Sequence, residues 1–121
     1  MTKKELVQLY YLNREIINDT EELVKLKIRQ KEGGGRSKVN EAYIAVCEKE
    51  IVEKIRRCTK LRDRVKTFIN SIDDSLTRQV FYYRYSKCMR WQQVACMIGG
   101  CNTAESVRKI AERYLKCVEK E

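Results

Sequence analysis

Within the stretch AESVRKIAERY, residues 104–114, helical spacing sets the paired cations Arg108 and Lys109 on one outward face with Ala104, Glu105 and Glu112, opposite Val107, Ile110, Ala111 and Tyr114. Cations grouped on one helix bind polyanions, and an arginine guanidinium also pairs bidentately with the major-groove edge of guanine. The surrounding chain has the same bias. Between Arg78 and Lys116 eight cations (Arg78, Arg84, Lys87, Arg90, Arg108, Lys109, Arg113 and Lys116) face two acids, Glu105 and Glu112. The whole 121-residue chain carries 26 Lys plus Arg against 17 Asp plus Glu, a formal charge of +9. A polyanionic partner, nucleic acid first among them, is the class this balance favours.

Other chemistries find little support. With no histidine, neither an imidazole base nor a Cys–His nucleophile is available, so no catalytic residue is assigned and the chain is read as a non-enzyme. The six cysteines, at 47, 58, 88, 96, 101 and 117, include no CxxC pair. No metal site and no cofactor are therefore expected. Cys47 and Cys58 read as small core hydrophobes, whereas Cys101 is expected to be exposed and reactive. Trp91 and the tyrosines Tyr10, Tyr11, Tyr82, Tyr83 and Tyr85 read as core or interface aromatics. The EGGGRSK segment lacks the GxxxxGK[ST] spacing of a phosphate cradle and reads as a flexible connector. Because the longest apolar run is Ala42 to Cys47, no bilayer-spanning segment is expected, and the location expected is the cytoplasm.

The cationic segment needs a scaffold. A third helix, about 74–85, starts after the polar break Ser71-Ile72-Asp73-Asp74-Ser75 and presents Leu76, Val80, Phe81, Tyr83 and Tyr85 as an apolar surface. A fourth, about 90–98, buries Val94, Ala95 and Ile98; a fifth, about 103–120, buries Val107, Ile110, Ala111, Tyr114 and Val118. Ala95 marks a close helix approach, Gly99 a chain reversal, and Val107 a plug between the two helices, together a helix-turn-helix signal. Asn102 with Glu105 resembles a capping box, with Thr103 the other candidate cap.

Further back, two long helices must bury each other. Leu9, Leu12, Ile16, Leu23 and Leu26 form a seam interrupted at Asp19. Ile44, Cys47, Ile51, Lys54, Cys58, Leu61, Val65 and Phe68 form a second, polar only at Lys54 and widened by Ile55. Residues 1–70 are thus expected to be an antiparallel helical hairpin, used for dimerisation or partner binding, and residues 71–121 a DNA-binding domain. The charge runs KLKIRQK (25–31) and KIRRCTKLRDR (54–64) read as solvated faces, with extra DNA contacts the competing reading. The fold class expected is all-α: a long antiparallel hairpin followed by a three-helix domain.

The run SLTRQVFYYRYSKCMRWQQVACMIGGCNTAESVRKIAERYL resembles the sigma-70 region 4 type of helix-turn-helix, as in phage and prophage late-transcription regulators of the ArpU and RinA kind. The resemblance rests on Arg78, Val80, Tyr83, Arg84 and Tyr85, on Trp91, Val94, Ala95, Ile98 and Gly99, and on Ser106, Val107, Arg108 and Tyr114. It implies a sequence-specific regulator of phage or prophage genes that binds double-stranded DNA, its hairpin expected either to form a homodimer or to touch another protein, RNA polymerase among the candidates. Thr103, Glu105, Ser106, Arg108 and Lys109 would then meet the major groove, with Arg90, Gln92, Gln93 and Arg113 on phosphates. Gly99 to Val107 spans two residues more than in that family, which lengthens the turn. The alternative function is structural: an assembly module such as a small terminase subunit, or an adaptor for RNA polymerase.

Overall fold

A computed structural model describes residues 1–32 and 38–119. Among them are five α-helices: α1, Lys3–Glu32; α2, Lys38–Asn70; α3, Ser75–Phe81; α4, Trp91–Ile98; and α5, Ala104–Glu119. The Gly33-Gly34-Gly35 connector and Lys120, where the fifth helix was expected to end, lie outside the described residues. The protein is all-α, with α1 and α2 forming the long antiparallel pair that the two seams predict and shorter helices following. No described helix is long and apolar enough to cross a membrane. The chain divides into two compact units, Tyr11–Lys60 and the combination of Met1–Tyr10 with Leu61–Glu121.

In the Tyr11–Lys60 unit, Ile51 and Cys58 are buried, and Leu12, Ile16, Leu23, Leu26, Ile44 and Cys47 are half-buried. A two-helix layer can shield only one stripe of each helix, so the rest stays in water. Asp19 and Lys54, the polar interruptions of the two seams, meet each other: Lys54 donates to the Asp19 carboxylate and lies 2.8 Å from Glu15. Those hydrogen bonds, Asp19 first, raise the Lys54 pKa. Polar groups in matching positions tie the helices to one register, because any slip sets a charge against hydrocarbon. One turn along the seam, the Cys58 thiol donates to Asn13 Oδ1 at 3.1 Å, and Lys27 pairs with Glu48 at 2.9 Å. Ile55, expected to widen the stripe, is instead 46% exposed, since a seam at 51, 54 and 58 turns it to the flank.

The other unit holds the larger core. Val65, Val80, Phe81, Val94, Val107 and Ala111 are fully buried, and Leu6, Leu9, Ile69, Ile72 and Leu115 nearly so. Phe81 is the hub, with ring centroids 5.9 Å from Phe68, 5.3 Å from Tyr85 and 5.4 Å from Tyr114. Burial pushes the Tyr85 phenol pKa up. Asp74 caps α3, its carboxylate accepting from the Thr77 amide at 3.0 Å and the Thr77 hydroxyl at 2.7 Å. Those bonds, the hydroxyl first, lower the Asp74 pKa. The cap also sets the phase of α3, so Thr77 faces inward with Val80 and Phe81, while Leu76, expected in the core, is 38% exposed. The chain does not continue as an α-helix to Tyr85. Tyr82–Ser86 is a π-helical turn, in which the Lys87 amide donates to the Tyr82 carbonyl at 3.0 Å.

Replacing Lys54 or Asp19 singly by leucine should lower the melting temperature, and the double replacement should lower it by less than the sum of the two, as circular dichroism will measure. Phe81→Ala should cost about 3–5 kcal/mol in chemical denaturation. The Asp74 carboxylate stabilises the fold while ionised, so its contribution is present above its unfolded pKa and lost as pH falls through its lowered folded pKa. Asp74→Asn should therefore flatten the acid limb of the thermal-stability profile.

Candidate nucleic-acid interface

α4 begins at Arg90, whose backbone is extended (φ −70°, ψ 154°). Its amide donates to Gln93 Oε1 at 3.1 Å, so Gln93 serves the cap while the Gln92 side chain is exposed. Val94 and Ala95 then enter the core beside Val107 and Ala111 of α5. The Gly99 amide donates to the Ala95 carbonyl at 2.9 Å and ends the helix.

Three consecutive residues of the turn have positive φ: Gly99 at 75°, Gly100 at 57° and Cys101 at 59°. A Cβ added at Gly99 or Gly100 would meet nothing within 4 Å, so backbone conformation rather than space calls for glycine there. Asn102 does not cap α5; its side-chain amide donates to the Gly99 carbonyl at 2.9 Å and closes the turn. Thr103 is the cap, its Oγ1 accepting from the Ser106 amide at 3.1 Å while Ser106 Oγ accepts from the Thr103 amide at 2.8 Å. That reciprocal pair is a capping box with serine in place of Glu105.

Of the residues expected to meet the major groove, Thr103 and Ser106 thus have their hydroxyls engaged at the start of α5. Glu105 is exposed and bonds Arg108, which lowers the Glu105 pKa. Arg108 lies toward the flank, held by Glu105 and by Glu112 at 2.7 Å, and Glu112 also has Lys3 of α1 at 4.0 Å. The Glu105 bond is the first cause of a raised Arg108 pKa. Lys109 and Arg113 are exposed, as is Arg90 ahead of α4. Lys116, also exposed and seven residues after Lys109, extends this cationic line. The expected site stops short of it, although i+7 spacing puts it on the same face as Lys109.

Two other cations are structural. Arg78 Nη1 donates to the Ile72 carbonyl at 2.7 Å. Arg84 donates to the Met89 carbonyl at 2.9 Å, and its guanidinium lies 4.5 Å from the centre of the Trp91 ring. Trp91, half-buried and edge-on to Tyr85, is a packing residue as expected. Among the cysteines Cys101 is exposed, and so are Cys96 and Cys117.

Thr103→Ala removes the cap acceptor and should cost about 1 kcal/mol. Gly100→Ala places a Cβ in left-handed backbone and should cost about 1–2 kcal/mol. Urea denaturation of the two variants will check both values.

In comparisons with protein-family models, with curated proteins and with solved structures, the chain has no match.

Proposed function

We propose that the protein is a sequence-specific DNA-binding transcription regulator of the phage and prophage type, with α5 in the major groove. The observation that carries this reading is the exposed cationic line Lys109, Arg113 and Lys116 on a helix whose other side buries Val107, Ala111 and Leu115. A ridge that is cationic outside and apolar inside suits a groove of phosphates and base edges. The resemblance of residues 75–115 to sigma-70 region 4 supports the same reading. Because Arg108 is bound by two carboxylates, Lys109 and Arg113 lead the contacts, and Arg108 reads a base by exchanging Glu105 for it. Arg90 and Gln92 hold phosphates beside the groove. The hairpin serves as the arm that pairs two copies or meets RNA polymerase.

A second reading, an assembly module such as a small terminase subunit, is favoured by apolar side chains exposed on the hairpin: Tyr11 at 60%, Val46 at 53% and Val52 at 65%. Selection from a random pool of duplexes separates the two, since a regulator enriches one motif. On that motif, Lys109→Glu/Arg113→Glu should weaken binding roughly 100-fold while leaving the circular dichroism spectrum unchanged, each contact being worth about 1–3 kcal/mol. A pool with no enriched motif, or unaltered binding by this variant, would overturn the regulator reading.

A further inference from the structure

Arg62, Asp63 and Lys66 of α2, Tyr82 and Ser86 of the π-helical turn, and Lys87 just after it line a cleft of about 360 Å³. Three of these groups are cations and one is an acid, which leaves the cleft electropositive. Arg62 and Lys66 stand four residues apart on one helix, where like charges repel, and Lys87 adds a third from a separate segment. The Lys87 ammonium lies 5.6 Å from the centre of the Tyr82 ring. An anion seated among the three cations would turn their mutual repulsion into attraction.

The backbone around the cleft departs from regular structure at the same place. Widening the helix into a π turn over Tyr82–Ser86 brings Tyr82, Ser86 and Lys87 to the cleft wall. The next residue, Cys88, has a positive φ of 56°. π turns within helices concentrate at functional sites, and a non-glycine residue in left-handed backbone persists only where its surroundings hold it. Neither feature is needed to end a helix. Together they build the wall that carries Lys87.

We infer that this cleft is a phosphate-binding site, with Arg62, Lys66 and Lys87 as the charge partners and the Ser86 hydroxyl as a donor to a phosphate oxygen. Arginine supplies a fork of donors and lysine a point charge, a combination suited to a tetrahedral dianion. The phosphate comes from a nucleic-acid backbone or from a free phosphorylated compound. Only the first source rests on the DNA reading above.

The test is a titration of the full chain with inorganic phosphate, against chloride at equal ionic strength, following the backbone amide resonances of Tyr82, Ser86 and Lys87. Saturable shifts with phosphate alone are expected, and Arg62→Gln/Lys66→Gln/Lys87→Gln should abolish them. Lys109→Glu/Arg113→Glu should retain them, which separates this site from the groove-reading face. Equal shifts with chloride, or saturation surviving the triple replacement, would overturn the inference. Random-sequence duplex then identifies the source. For a backbone site, the slope of log K against log salt should become shallower by about 2–3 in the triple variant, near 0.9 per lost phosphate contact. An unchanged slope alongside saturable phosphate binding assigns the cleft to a free phosphorylated compound.

Discussion

The packing of Phe81 is the constraint on which the helical unit depends. Its ring meets Phe68 from α2, Tyr85 from the π turn and Tyr114 from α5. Helices of seven and eight residues, such as α3 and α4, are too short to persist alone, because nucleation costs more than a few hydrogen bonds return. Shared aromatic contacts supply what local propensity cannot. Through Tyr114 this same cluster fixes the rotation of α5, and therefore which of its side chains face water.

Charge in this unit is divided between holding and offering. Arg78 and Arg84 donate to backbone carbonyls, and Arg108 is bound by two carboxylates. Exposed ion pairs of that kind add little stability but restrict the side chain and reduce its field. Lys109, Arg113 and Lys116 remain exposed on α5. A net charge of +9 is thus a poor measure of binding capacity, since part of it is spent on closing turns and bracing helices.

Much of the architecture was legible in the sequence because apolar periodicity reports burial directly. Leu9, Val65, Val94, Val107 and Ala111 are buried where the pattern places them, and the two long helices end within a few residues of expectation. The misses have local causes. Leu76 and Ile55 are apolar but lie off the inward direction set by a cap and by a heptad seam, and composition does not encode phase. Ile69 and Ile72 lie where α2 gives way to the next connection, beyond the register used to read the seam. The π turn at Tyr82–Ser86 has no signature in the apolar periodicity, which places Tyr83 and Tyr85 on one continuous helix. At the candidate interface the cations of α5 are legible, and so are the pairing intervals of Glu105, Arg108 and Glu112, but spacing alone does not say whether an arginine is clamped by them or turned to a ligand.

The turn before α5 constrains how that helix can be used. Glycine adopts positive φ freely, but Cys101 in left-handed backbone persists only if its surroundings hold it, and the bonds from Asn102 to Gly99 and between Thr103 and Ser106 flank it. With those polar groups committed, the first turn of α5 is an anchor and has little capacity left to read bases. In the proposed reading, recognition falls about one helical turn along, on Lys109 and Arg113, which no cap requires. In that reading, a helix fixed at its start and cationic further on would give up direct readout by its first residues in exchange for a defined orientation. Preorganisation of that kind would improve discrimination, because a side chain held at a set height above a groove cannot adjust to a wrong base pair at low cost.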